Sequence, residues 1–476
     1  MNSLKNIFVL LICVCFLIHK AYSQENFALI DCSRTIGTIK GFHGVNLGPL
    51  CYRGTIDLSS YHKELKIPYT RLHDVVWINA DAVDISTIFR DFRDDPENPE
   101  NYDFKTTDDY IQAIINVGSK IVYRLGESIE HTPRKYRVHP PQDYEKWAKI
   151  CLGIIRHFNQ GWANGFHHNI QYWEIWNEPD VKPSMWTGTD NQYFELYKTT
   201  AQLIKKQFPD LKVGGPAVGN PVVFEGDRFK PSDFASKFLS YCKENNCPLD
   251  FFSWHCYTSD PTVIFRKAKA VRSILNEYGF QSTESHLNEW NYLPDNDWRP
   301  MLKDGQGITR EKWYEKMGGT AGASFIVSVL SLLQDSQVDV ANFYTGEIQG
   351  FGLFNYYGTP KKNYYGMKAF SLMLETPIRI QATLPIPQST ILAGINENRD
   401  RLNVLIALNG KSKQQLKIQV NNIFWNQQTD CNISAVNSDK NLESIANSLL
   451  QLTNNLMEIT SESPSVLFLQ LRPAKK

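Results

Sequence analysis

The chain has 476 residues, 42% hydrophobic and 12% aromatic, with 50 basic and 50 acidic side chains and a formal net charge of zero. That length supports one large domain plus a smaller one, with an ample core. The balanced charge excludes the long-range field that would recruit nucleic acid or an anionic membrane surface.

Lys5 precedes an unbroken apolar run from Ile7 to Ile18, followed by a polar break and Ala21-Tyr22-Ser23. The run is too short to span a bilayer but suits the core of a signal peptide cleaved after Ser23. Residues 1–23 are therefore read as an export signal and the protein as secreted or periplasmic, with no stable membrane anchor. Of nine cysteines, Cys13 and Cys15 fall in that segment. Cys242 and Cys247 are close enough in sequence for a small disulfide loop, and Cys32 with Cys51 is a second candidate pair; sequence leaves the pairing open. No Cys-x-x-Cys occurs, so a structural zinc site is not expected.

Phe27 to Ile36 reads as a short strand, and residues 24–37 are expected to join a later β-domain. Strand patterns then recur near 43, 71, 123, 173, 214, 253, 288 and 342. Most are separated by helical spacing, as in Tyr144, Trp147, Cys151, Ile154 and Phe158, which step by three and four. Trp77 to Tyr102 is acidic, contains prolines and reads as a loop. Such alternation across residues 38–374 implies an α/β fold, a closed (β/α)₈ TIM barrel. A doubly wound open sheet is disfavoured because no Gly-x-Gly-x-x-Gly follows the first strand. From 375 to 476 the alternation stops. Arg379–Ala393, Leu402–Leu408, Leu416–Val420 and Val466–Leu471 read as strands, with Asn409-Gly410 a tight-turn signal, so a C-terminal β-sandwich is expected.

In such a barrel the reactive groups sit at the C-terminal strand ends. Pro179 cannot join a ladder, so strand four must stop and deliver Glu178 to the rim. Glu289 tops strand seven in the same grammar of apolar strand, Asn and Glu. The two are 289 − 178 = 111 residues apart, and only barrel closure brings them together. Two facing carboxylates are the minimum equipment for glycoside hydrolysis: one stays protonated as the acid, the other ionised.

Trp176-Asn177-Glu178-Pro179 with a second Glu on strand seven resembles the clan of retaining (β/α)₈ glycosidases. Within it the chain is similar to glycoside hydrolase family 39, the β-xylosidase and α-L-iduronidase family. The similar stretches are Arg71-Leu72-His73-Asp74, Trp173 to Pro179, Asp250 to Asp260, and Asn288-Glu289-Trp290-Asn291. The resemblance implies Glu178 as acid/base and Glu289 as nucleophile. It also implies Asn177 on the sugar 2-hydroxyl, Tyr257 holding Glu289, His73 and His255 on sugar hydroxyls, and Arg71 near the nucleophile. Trp290, Trp176 and Trp298 are candidates for stacking on sugar faces. Glu127 and Glu347 also follow strands; Glu127 either binds substrate hydroxyls or pairs with Arg124 or Arg134.

Iduronidase relatives carry a basic residue just after the strand-six histidine. Here Cys256-Tyr257-Thr258 follows His255, which favours a neutral pentose or hexose. Loops Trp77–Tyr102 and Asn291–Trp313 would wall the site and favour exo action. The expectation is a secreted, cofactor-free, retaining exo-glycosidase most like a β-xylosidase, acting on an oligosaccharide or glycoside. The alternatives are an iduronidase-like or other glycosidase of the clan, or a non-catalytic sugar-binding barrel. A metal-dependent barrel hydrolase would need His-x-His on strand one, where Phe42-His43-Gly44 offers one histidine.

Overall fold

The computed structural model describes residues 27–51, 55–302, 305–410, 412–450 and 455–474. The expected export signal lies outside them. Eight strands close a parallel barrel. They are β1 (Gly44–Asn46), β2 (Tyr69–Leu72), β3 (Lys120–Leu125), β4 (Tyr172–Ile175), β5 (Lys212–Val218), β6 (Phe251–Thr258), β7 (Glu284–Tyr292) and β8 (Val340–Tyr344). Closure is made by β8 pairing with β1, where Asn342 faces Gly44.

A helix follows each strand: α1 (Ser59–Leu65), α2 (Lys105–Asn116), α3 (Tyr144–Gln160), α4 (Asp190–Gln207), α5 (Asp233–Glu244), α6 (Pro261–Glu277), α7 (Thr320–Leu332) and α8 (Lys362–Ser371). Their starts are written locally. Asp143 accepts from Lys146 N–H, Ser232 from Ala235 N–H, and Asp260 from Thr262 N–H. Thr189 and Gln192 form a reciprocal capping box. Each satisfies a backbone donor that the first helical turn leaves unpaired. Helix α3 buries Trp147, Cys151, Ile154 and Phe158 against the barrel, the stripe that the three–four spacing predicts.

Helix α7 is apolar nearly all round because it is covered on both sides. One face meets the barrel, and Ser324 Oγ donates to Leu408 O of the second domain at 2.8 Å. That domain is a nine-stranded sheet with one continuous order of strand pairing. Strand Phe27–Thr38 lies inside it, antiparallel to Ile378–Thr383 and parallel to Gln414–Asn421. Buried side chains from the middle strands and both flanks share one core, including Ile30, Ile380, Val404, Ile418, Ile433 and Ile459, so the sheet folds over on itself. The stretch read as a strand from Arg379 to Ala393 is in fact two antiparallel strands, Ile378–Thr383 and Thr390–Ile395. Pro385 and Pro387 lie in the turn between them, where neither has a ladder donor to lose.

All seven cysteines among the described residues are free thiols. Cys32 belongs to the sheet core and Cys51 to the barrel core, which removes that candidate pair. Cys242 and Cys247 do meet, as a thiol–thiol hydrogen bond beneath the end of α5. Among the described residues no single helix is long and apolar enough to cross a membrane.

Ile30 is fully buried in the sheet core. Ile30→Ala should lower the unfolding free energy by about 2–4 kcal/mol, from lost transfer energy and the cavity left behind. Urea denaturation followed by circular dichroism measures it, and an unchanged midpoint would show that this strand does not anchor the domain.

Candidate active site

Strand β4 alternates. Trp173 and Ile175 are buried in the hydrophobic layer, while Glu174, wholly buried, takes its hydrogen bonds from Arg71 and Asn288. Past Ile175 the chain turns sharply, with Trp176 at φ 71° and Glu178 at φ 45°, a left-handed conformation that is costly for large side chains. Tertiary contacts hold it there. Trp176 Nε1 donates to Met185 O at 2.8 Å, its ring meets Trp186 edge-on at 5.0 Å, and Glu178 N–H donates to Ala217 O at 3.1 Å. The result sets Glu178 over the barrel mouth.

A buried guanidinium organises the floor. Arg71, from β2, donates through Nε to Glu174 Oε2 at 2.7 Å and through Nη2 to Asn177 Oδ1 at 2.5 Å. Its Nη1 reaches Asn46 Oδ1 at 3.1 Å and Glu289 Oε2 at 3.2 Å. Asn288 Nδ2 donates to the second oxygen of Glu174. Tyr257 Oη donates to Glu289 Oε1 at 2.5 Å. His255 stands between the two rim carboxylates, with Nδ1 2.8 Å from Glu178 Oε1 and Nε2 3.6 Å from Glu289 Oε2. Asn177 Nδ2 donates to His73 Nε2 at 3.1 Å, which makes that ring nitrogen the acceptor. One oxygen of Glu178, one of Glu289 and a ring nitrogen of His255 all lie within 4.8 Å of one another. Three such groups could also ligate a cation, but the Arg71 guanidinium beside Glu289 opposes one electrostatically.

Burial raises both glutamic acids, with unequal compensation. Glu178 is pushed up to about 7 by loss of solvent, opposed by the charge of Arg71 and reinforced by Asp74. Glu289 is raised by burial as well, and the charge of Glu178 adds to the rise; Arg71 and the Tyr257 hydroxyl pull the other way, as does His255 when protonated. Burial lowers His255 and takes His73 well below its ordinary value, so both rings are neutral near pH 7. Both carboxyls are raised, and Glu289 has the guanidinium and phenol donors that favour its ionised form, which Glu178 lacks.

The cavity over these groups has a volume of about 550 Å³. His73, Asp74, Glu178, Tyr257 and Glu289 form its base, and Trp298, Met301, Tyr344 and Phe351 one wall. Trp298 and Met301 come from the loop after β7, as expected for a walling segment. Trp298 is 43% exposed and meets the Tyr257 ring edge-on at 5.0 Å. The Trp77–Tyr102 loop supplies Asp81 to an adjoining recess that Glu347 also lines.

Residues 29–405 match the sequence pattern of the family described as Glycosyl hydrolases family 39. The chain belongs to glycosyl hydrolase family 39. It is a glycosidase. A β-xylosidase of Caldicellulosiruptor saccharolyticus is 25% identical over 410 residues, covering 77% of this chain and 76% of that protein. A glucosidase structure from Croceicoccus marinus superposes with a TM-score of 0.76 at 21% identity, over 94% of this chain and 99% of that one. A β-xylosidase structure from Caulobacter crescentus gives 0.69 at 17% identity, over 94% and 100%. At these identities the structures speak to the fold.

Within this family 39 site, Arg71, His73, Asn177, Glu178, His255, Tyr257 and Glu289 converge. Three expected contacts do not. Trp290 is fully buried and packs on Phe343 at 5.3 Å, because strand alternation turns it away when Glu289 points inward. Trp176 is core for the reasons above. Glu127 is also diverted: its carboxylate accepts from Ser86 N–H at 3.0 Å and Ser86 Oγ at 2.6 Å, anchoring the turn after Asp84. It is pushed up to about 8 by burial and by Asp84, and it does not line the cavity. Glu174 and Asn46 were not singled out by the sequence reading. The available signal for Glu174 was a carboxylate inside an otherwise aromatic and β-branched strand.

Removing Arg71 leaves Glu174 as an uncompensated buried charge. Arg71→Met should cost about 3–5 kcal/mol at neutral pH. The deficit should shrink as pH falls, since protonating the stranded carboxyls relieves it. Denaturation midpoints of wild type and variant across pH measure this, and a deficit independent of pH would contradict the electrostatic account.

Proposed function

We propose that this chain is a secreted, retaining exo-glycosidase that releases a neutral pentosyl or hexosyl unit, most like a β-xylosidase. The observation that carries the retaining assignment is the carboxylate pair: oxygens of Glu178 and Glu289 lie within 4.8 Å. Double displacement uses carboxyls about 5–5.5 Å apart, whereas inversion needs about 6.5–9.5 Å to admit a water. The β-xylosidase relative at 25% identity supports the sugar class. The apolar run from Ile7 to Ile18 supports export.

In the first step Glu178 gives its proton to the departing oxygen while Glu289 attacks the anomeric carbon, forming a glycosyl ester. Glu178, now ionised, takes a proton from water, and the hydroxide displaces Glu289. Arg71 and Tyr257 hold Glu289 in line and ionised. The Asn177 amide, fixed by Arg71 and His73, keeps a donor and an acceptor near the sugar 2-hydroxyl, where contact strengthens as charge develops. Neutral His255 accepts from or donates to Glu178 as its proton comes and goes.

Glu289→Ala should abolish turnover of nitrophenyl glycosides. Added azide should restore it, giving a glycosyl azide of inverted configuration; azide rescue with retained configuration would reverse the two roles.

The acid must be protonated, so activity is held at low pH and lost as pH rises through the Glu178 value of about 7. The nucleophile must be ionised, so the acidic limb belongs to Glu289. Glu178→Gln should lower kcat/KM by about 10²–10⁴-fold on poor leaving groups and remove the alkaline limb. A pH–rate profile with that limb intact would dismiss Glu178 as the acid.

A further inference from the structure

The cavity is uneven in charge. Beside Glu289 it is walled by Tyr257, Tyr344 and Phe351; beside Glu178 it continues over Asp180 from the loop after β4 and Gly219 and Asn220 from the loop after β5, to Lys267 on α6. Gly219 fixes the proximity of this outer arm to Glu178, since a Cβ there would lie 3.0 Å from Glu178 Oε1. The proton donor must meet the departing oxygen, so the arm that opens past it is the space for the leaving group. This placement rests on the reading of Glu178 as the acid.

Lys267 is the one lysine or arginine among the described residues lining the cavity. It reaches in, half-buried, from α6. Its Nζ donates to Asn220 Oδ1 at 3.0 Å and to the Cys256 thiol. No ion pair among the described residues includes it, whereas most other cavity charges are satisfied. Asp180 accepts from Gly219 N–H at 3.1 Å and Asn220 N–H at 3.3 Å, and burial with Glu178 nearby pushes it up to about 6. Glu178 and Glu289 have His255, Arg71 and Tyr257. His73, Asp74 and His131 complete the titratable lining, at the base and on the loop after β3. An ammonium has three donors, and an amide oxygen and a thiol occupy two. A half-buried cation with only neutral partners has charge to offer a ligand.

We propose that the outer arm is a leaving-group subsite for a uronic acid, with Lys267 as counter-ion to its carboxylate and Asn220 as a hydroxyl contact. The released sugar stays neutral; the anion is on the unit it leaves behind. The natural substrate would be an acidic oligosaccharide whose penultimate residue carries the carboxylate.

Calorimetry of D-glucuronate and D-glucose binding to the full chain, at neutral pH and low salt, tests this. Glucuronate should bind about 10-fold more tightly, as a charge-assisted hydrogen bond supplies. The preference should vanish in Lys267→Gln, persist in Lys267→Arg and weaken with salt. Equal affinities in the wild-type chain, or a preference unchanged in Lys267→Gln, would overturn the proposal. Nitrophenyl glycoside hydrolysis by the same preparations reads the catalytic assignment separately. Turnover without glucuronate preference removes this subsite alone. Glucuronate preference without turnover of any glycoside removes the glycosidase reading, and the leaving-group role with it.

Discussion

The site depends on one buried cation. Arg71 is fully enclosed, and its planar fork is shared among Glu174, Glu289, Asn177 and Asn46, which come from β4, β7, the β4 turn and β1. A guanidinium suits this because it stays charged and offers five donors in fixed directions. A lysine would be a point charge with no geometry to impose. Glu174 does no chemistry here. It holds the guanidinium, which in turn opposes the rise that burial imposes on Glu289 and orients Asn177. Without Glu174, Glu289 alone would have to compensate the buried charge of Arg71.

The two rim carboxyls therefore share a pocket while living in different environments. Both have lost solvent, and burial alone would make both acids. The asymmetry is in the donors: Glu289 has a guanidinium and a phenol, while Glu178 has a neutral imidazole. The strained Trp176–Glu178 turn sustains that difference by keeping Glu178 above the reach of Arg71's hydrogen bonds. Strain at that turn is stored against the packing of Trp176 between Trp147 and Trp186.

Much of this was legible in the residues. The eight strands could be counted because period-two and period-three-four patterns alternate cleanly, and each strand position corresponds to a barrel strand. Glu178 was legible because Pro179 marks where its strand stops; Glu289 was legible by the shared Asn-Glu pair, although its strand runs on to Tyr292. What escaped reading is what depends on the third dimension. Glu174 and Asn46 become meaningful only when β1, β2 and β4 curve together. Trp290 reads as a platform beside Glu289, but alternation sends neighbouring side chains to opposite faces. Glu127 shares the strand-end position of the rim carboxyls, yet Ser86 from a distant turn claims it. Lys267 sits mid-helix, where a lysine looks like an ordinary solvated face; only its reach over the β6 end brings it to the cavity. Three strands of the second domain, Thr429–Val436, Asn441–Leu450 and Leu456–Ser461, were missed: in the first, Asp430, Asn432 and Ser434 alternate with the mostly small Thr429, Cys431 and Ala435, and the third offers only Met457 and Ile459 as buried apolar residues.

The strand Phe27–Thr38 binds the two ends of the chain into one sheet. Phe27 faces Lys417, a separation of 417 − 27 = 390 residues. During synthesis that strand leaves the ribosome before the barrel, and both its neighbours follow the barrel in sequence. It must wait as an unpaired apolar edge while the intervening domain folds. Pairings of that sequence separation carry a large loop-closure cost, so completion of the sheet depends on chain from both sides of the barrel. The barrel contains the chemistry, but the sheet beside it is complete only when chain that precedes the barrel meets chain that follows it.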